Sequence, residues 1–145
     1  MKLRGKNKLI MNNIFKYFSA FSFFMFLSCG LNGDKSINQI SSDELLDFIE
    51  INNAILVDVR TKDEFNSGYI ENSLNIDYLS NDFYENAKML DKNTPIILYC
   101  RSGKRSSMSA NKLAKLGFKE IYNLEGGILD WIEIGNSVIF TDTIN

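Results

Sequence analysis

An α/β domain in three layers, with a mostly parallel sheet between helices, is the fold class this sequence predicts. Two observations lead there. The runs Ala54-Ile55-Leu56-Val57-Asp58-Val59 and Ile96-Ile97-Leu98-Tyr99 are almost wholly apolar and rich in β-branched residues. They lack the in–out alternation of a half-solvated strand, so each reads as a strand buried on both faces. Helical segments separate and follow such runs, in the order strand, helix, strand, helix, strand, helix.

Each element has its own signal. Ser41-Ser42-Asp43-Glu44 fits a capping box, with Ser41 as N-cap and Glu44 three residues later. Leu45, Leu46, Phe48 and Ile49 then supply an apolar helix face, and Asn52-Asn53 closes it. After the strand at 54–59, Thr61-Lys62-Asp63-Glu64 is a second capping box, opening a short helix that Gly68 ends. Ser73-Leu74-Asn75-Ile76 reads as a short strand. Leu79 to Leu90, with Phe83, Tyr84, Ala87, Met89 and Leu90 apolar, reads as a helix. Thr94-Pro95 is a turn into the strand 96–99, where a proline at the first position removes no needed hydrogen bond. Ser107 to Leu116 reads as a helix, with Ala110 and Ala114 at i, i+4 and Leu113 and Leu116 at i, i+3. Gly117 stands where helices stop in a left-handed turn. Glu120 to Leu124 is a last strand, and Gly126-Gly127 leads into a final helix at 128–132. The segment after Gly135 carries no clear pattern.

The first 28 residues differ from the rest. They hold five basic residues (Lys2, Arg4, Lys6, Lys8, Lys16) and no acidic one, then the apolar run Tyr17 to Leu27. Eleven residues fall short of the ~20 of a membrane span but suit the apolar region of an export signal. Met11 is a candidate alternative start. The run ends in Leu27-Ser28-Cys29-Gly30, which resembles the cleavage and lipidation box of bacterial lipoproteins. Leu27 lies two places before the cysteine, and Phe26 holds the place where that pattern wants leucine. The expectation is a signal over 1–28, an acylated Cys29, a polar tether over 29–36 and one globular domain over 37–140. It makes the chain an exported lipoprotein held on a membrane from the periplasmic or extracellular side.

Composition narrows the chemistry. The chain of 145 residues has no His and two Cys, 71 positions apart. Cys–His and Ser–His–Asp catalysis and His-ligated metals are thereby excluded, and two distant cysteines make no zinc site. Neither a metal nor a cofactor is called for. Beyond residue 28, 11 basic residues face 18 acidic ones, a net charge of −7, which argues against nucleic-acid binding.

Against that acidic background, Tyr99-Cys100-Arg101-Ser102-Gly103-Lys104-Arg105-Ser106 concentrates cations around one thiol. It follows a buried strand and opens a helix, the crevice where open α/β sheets bind ligands. Unpartnered N–H groups at a helix start favour an anion there. A helix N-terminus and neighbouring Arg101, Lys104 and Arg105 both favour thiolate, so the pKa of Cys100 is expected to fall. A merely structural buried cysteine would need neither the glycine nor the cations.

Three motifs together resemble the rhodanese-like (thiosulfate sulfurtransferase) domain, over about residues 38–134. The first is Leu56-Val57-Asp58-Val59-Arg60, Glu64, Gly68-Tyr69-Ile70 and Ser73-Leu74-Asn75-Ile76. The second is the segment from Tyr99 to Ser106. The third is Gly117-Phe118, then Asn123-Leu124-Glu125-Gly126-Gly127 and Trp131. Tyr69 departs from the histidine usual after that glycine, at a position that looks structural. The resemblance implies a five-stranded, mostly parallel sheet with helices on both faces. It implies a catalytic Cys100 that takes sulfur from a small anionic donor such as thiosulfate, becomes a persulfide, and passes the sulfur to a thiol or cyanide. Arg101, Ser102, Gly103, Lys104 and Arg105 would bind substrate through their amides and charges. From their own positions, Asp58, Arg60 and Glu64 read as structural support, with Arg60 and Glu64, four residues apart, expected to pair, and Trp131 reads as core. Phosphatases of the dual-specificity cell-cycle type and arsenate reductases share the fold but carry a loop one residue longer. Here Arg105 follows Cys100 after only four residues, which suits a single outer sulfur better than a phosphate or arsenate. The other alternative is a tethered persulfide carrier or protein-binding module without fast turnover.

Overall fold

A computed structural model describes residues 37–140; the expected signal, tether and Cys29 lie outside the described residues. Strands and helices alternate in chain order: β1 (Asn38–Ile40), α1 (Leu45–Asn52), β2 (Ile55–Asp58), α2 (Lys62–Asn66), β3 (Leu74–Asn75), α3 (Phe83–Lys88), β4 (Ile96–Tyr99), α4 (Lys104–Leu116), β5 (Ile121–Leu124) and α5 (Gly127–Glu133). The five strands form one sheet in the order β1-β5-β4-β2-β3, and every pairing is parallel.

Strand β4, with four apolar or aromatic residues and no exposed face, occupies the centre of that sheet. Its alternation divides the core. Ile96, Leu98 and then Cys100 face one layer, with Phe83 and Ala87 of α3 and Ala110 and Leu113 of α4. Ile97 and Tyr99 face the other, with Leu45 of α1 and Ile128 and Trp131 of α5. The period of two along a strand therefore sets Cys100 on the α4 side, directly beyond the carboxyl end of β4. The Tyr99 hydroxyl, buried at the end of the same strand, accepts from the Ile70 N–H (3.1 Å) and shares a hydrogen bond with Ser73 Oγ (2.9 Å).

The three-layer, parallel architecture is as expected, and four differences have local causes. Strand β1 has no counterpart in the pattern reading. It is three residues long, pairs with β5 alone and buries only Ile40, so it leaves no periodicity to detect. Helix α3 covers only Phe83–Lys88 of the expected 79–90. Asp77 Oδ1 accepts from the Leu79 N–H (2.8 Å) and Ser80 Oγ from the Asp82 N–H (3.1 Å), side-chain bonds that hold turns in place of a helical first turn. At α1, Glu44 reaches back to the Ser41 N–H (3.3 Å) and hydroxyl (2.8 Å), but no side chain caps the helix, which starts at Leu45. The box is half formed there, whereas Thr61 and Glu64 complete theirs at α2. Helix α4 begins at Lys104, three residues before the expected start. The loop after Cys100 is thus only Arg101, Ser102 and Gly103.

Candidate active site

The short loop follows from a single backbone requirement. Gly103 sits at φ +87°, in the left-handed region, immediately before α4. A Cβ there would meet only ordinary contacts, the nearest at 3.7 Å, so the φ rather than the space demands glycine. That turn carries Lys104, Arg105 and Ser106 onto the first turn of α4, beneath the thiol.

Cys100 is 1 % exposed. Burial pushes its thiol up, since a charged sulfur loses solvation. The Ser106 hydroxyl and the N–H groups of Ser106, Ser102 and Arg105 donate toward the sulfur and more than offset it, so the net shift is downward. The fall expected from sequence is present, and the N–H groups of Arg105 and Ser106 that contribute to it belong to the first turn of α4, the helix start expected to favour thiolate; the Ser106 hydroxyl adds a donor that the sequence did not suggest. Ser106 Oγ lies 3.5 Å from Sγ and 3.0 Å from the Gly103 carbonyl oxygen. Its one proton serves one acceptor at a time, and an ionised sulfur attracts it more strongly. Ser106 is the residue that sequence reading left out of the site. With α4 started at Ser107, the position facing the loop could not be recognised.

The cations separate. Arg105 makes a two-pronged pair with Glu64, Nη1 to Oε2 and Nη2 to Oε1 at 2.6 Å each. Arg105 and the Thr61 hydrogen bonds hold the Glu64 carboxyl down to about 2, with burial opposing, and Glu64 in turn raises Arg105. Glu64 is both the capping-box residue of α2 and the anchor of the α4 arginine. The expected Arg60–Glu64 pair is not formed. Arg60 turns to Asp58 instead, donating from Nη2 (2.6 Å) and Nε (2.9 Å), and a further Nη2 hydrogen bond reaches the Gly68 carbonyl (2.7 Å). That pair is buried, with side-chain exposures of 7 % and 0 %, and the Arg60 backbone N–H also meets Asp58 Oδ1. Satisfied on several sides, it fixes the end of β2 next to Cys100. Arg101 and Lys104 are exposed, and their charged ends have no partner among the described residues.

Helix α5 closes the loop from behind. The Ile128 N–H donates to the Cys100 carbonyl (2.9 Å) and the Leu129 N–H to the Arg101 carbonyl (3.2 Å). With those carbonyls occupied, the N–H groups of the loop are left to face the sulfur. The close approach depends on Gly127, at φ +62°: a Cβ there would lie 2.5 Å from the Cys100 carbonyl oxygen. Trp131 is core as expected, 4 % exposed, with Nε1 donating to the Ser137 carbonyl (2.8 Å).

The family described as Rhodanese-like domain matches residues 41–134. The thiosulfate sulfurtransferase GlpE of Coxiella burnetii is 32 % identical over 93 residues, covering 64 % of this chain and 85 % of that protein. The tRNA uridine(34) hydroxylase of Chlamydia felis is 32 % identical over 109 residues, or 71 % of this chain. This chain spans only about a third of the length of such hydroxylases. Among solved structures, a rhodanese-related protein from Thermoplasma volcanium superposes with a TM-score of 0.64 at 31 % identity, covering 72 % of this chain and 99 % of that one. A rhodanese-like domain protein from Staphylococcus aureus gives 0.63 at 29 %, covering 73 % and 100 %. Matched along most of its described length, in sequence and in fold, this chain belongs to the rhodanese-like domain family.

Proposed function

We propose that the protein is a sulfurtransferase that moves a sulfane sulfur through a persulfide on Cys100. The observation that carries this reading is the set of donors aimed at Sγ: the N–H groups of Ser102, Arg105 and Ser106 and the Ser106 hydroxyl. Such a cradle favours a thiolate before reaction and an anionic outer sulfur after it. In the first step the Cys100 thiolate attacks the outer sulfur of a donor such as thiosulfate. An S–S bond forms, the donor's S–S bond breaks, and sulfite leaves with the electron pair. In the second step a thiol or cyanide takes the outer sulfur, and the pair of the broken S–S bond returns to Cys100 as thiolate. Arg101 and Lys104, exposed and unpaired among the described residues, supply the positive field for an anionic donor. Arg105, paired with Glu64, contributes its N–H group at the sulfur.

Mass spectrometry after incubation with thiosulfate tests this. The expected result is the gain of one sulfur mass, absent in Cys100→Ser. An unmodified protein that instead hydrolyses phosphate esters would overturn the reading. The persulfide-carrier alternative draws on one observation, the 1 % exposure of Cys100. It is separated by steady-state turnover with a small thiol, which a slow carrier would not sustain.

The hydroxylase name of the Chlamydia relatives belongs to proteins of which the match covers only 34 %, and the net −7 beyond residue 28 gives an RNA partner little to hold. We also propose export and membrane anchoring through an acylated Cys29, on the strength of the basic start, the apolar run and Leu27-Ser28-Cys29-Gly30. Labelling with a palmitate analogue should mark the protein and not Cys29→Ala. No helix among the described residues is long and apolar enough to cross a membrane.

A further inference from the structure

Beside the thiol loop lies an open cleft of about 330 Å³, at the small end of the range for ligand sites. Arg101, Ile128, Leu129, Ile132, Val138 and Phe140 line it. Its inner wall is the first turn of α5, whose Ile128 and Leu129 N–H groups hold the carbonyls of Cys100 and Arg101, and Arg101 lines it, so the cleft adjoins the loop that follows the nucleophile. Its outer wall is the strap after α5. Ile139 exchanges two backbone hydrogen bonds with Tyr69, at 2.9 and 2.8 Å. That pairing lays Val138 and Phe140 against the bare backbone of Gly68, within 3.4 Å of where a Cβ would stand.

Two properties of the cleft limit what it takes. Its walls offer apolar side chains to solvent, with Leu129 46 %, Ile132 48 % and Phe140 64 % exposed. Its charges are unequal. Arg60 and Glu64 border it but are spent on Asp58 and Arg105. Arg101, next to Cys100, has no partner among the described residues. The uncompensated charge is thus positive and stands on the residue that follows Cys100, and the cleft's exposed walls on α5 and the strap are apolar.

We infer that this cleft is the acceptor subsite and takes a thiol that carries an anionic group beside its sulfur and an apolar tail. The inference rests on the sulfurtransferase reading and names the acceptor class for it. The acceptor thiolate attacks the outer sulfur of the Cys100 persulfide. The new S–S bond forms as the Cys100 S–S bond breaks, the pair stays on Cys100, and the acceptor leaves as a persulfide. Arg101 meets the acceptor's anion, while Leu129, Ile132 and Phe140 cover its tail.

The test uses 2-mercaptoalkanoates of three to eight carbons, which hold thiol and carboxylate together while the tail grows, and their uncharged amides. Persulfide loading by thiosulfate is first confirmed by mass. Expected kcat/KM rises about threefold per added methylene over the first few, as apolar area is buried. Acids outrun amides, and Arg101→Gln removes that preference. Ile132→Ser and Phe140→Ser, both at exposed positions, flatten the chain-length dependence; Ile51→Ser on α1, 80 % exposed and outside the cleft, keeps it. If the persulfide forms but wild-type rates ignore tail length, or both cleft variants keep the full dependence, the inference is overturned. If no persulfide forms, the sulfurtransferase reading fails and the acceptor subsite with it.

Discussion

At Cys100, burial works against ionisation and four donors work for it. The donor most open to change without disturbing the backbone is the Ser106 hydroxyl. In Ser106→Ala the midpoint of the pH profile for alkylation by iodoacetamide should rise, and the alkylation rate at pH 7 should fall by about tenfold, the worth of one hydrogen bond to a charged group. An unchanged profile would show that the backbone amides suffice. Glu64 offers a second test at this scale. Its carboxyl is held at about 2 against an ordinary 4.5. A carboxylate depressed in the folded state stabilises the fold above its unfolded value and loses that contribution as pH falls toward its folded one. Glu64→Gln should therefore cost about 1 kcal/mol at pH 7, a figure kept low because the carboxylate side is one-third exposed. The difference from wild type should shrink between pH 4.5 and 2 in urea titrations, and a cost that persists at pH 2 would assign the loss to the capping box alone.

Among the elements, β4, the three-residue loop, α4 and the first turn of α5 behave as one assembly. Gly127 is where α5 meets the loop, with the Cys100 carbonyl 2.5 Å from a notional Cβ and the φ positive. Gly127→Ala must shift one of the two, at a cost of about 2 kcal/mol or more. It should also displace the carbonyls of Cys100 and Arg101 and lower sulfur transfer well beyond the loss of stability. Thermal unfolding and single-turnover persulfide formation, measured on one preparation, separate the two effects. The loop was legible as a strand–thiol–helix junction, but its length was not. Ser107-Met108-Ser109 and the cationic residues before it have no apolar periodicity to mark a helix start, and only the left-handed turn at Gly103 places it.

At the scale of the molecule, the sheet of the described domain lies between two apolar layers. Leu98, fully buried at the centre of the α3–α4 side, carries no part of the chemistry. Leu98→Ala should lower the free energy of unfolding by about 3 kcal/mol through the cavity it leaves. A smaller loss, under 1 kcal/mol, would mean that the α3–α4 layer collapses around the gap. The layer arrangement was legible because parallel strands buried on both faces write themselves as unbroken apolar runs. Strand β1 was not, because an edge strand of three residues gains its place from backbone pairing with β5, and backbone pairing leaves no mark on side-chain choice.

The amino-acid order by itself determined the parallel α/β class, the buried central strand, the thiol at its carboxyl end and the family those residues resemble. These are properties of neighbours in sequence: apolar runs, caps and a glycine within a few positions of a cysteine. Tertiary structure decided the partners. Glu64 lies 41 positions from Arg105 and only four from Arg60, yet it pairs with Arg105, because Arg60 is held by the buried carboxylate of Asp58. The apolar cleft joins α5 to a strap hydrogen-bonded at Tyr69. Contacts of that separation are selected by packing and charge compensation over the whole domain, which local sequence does not encode.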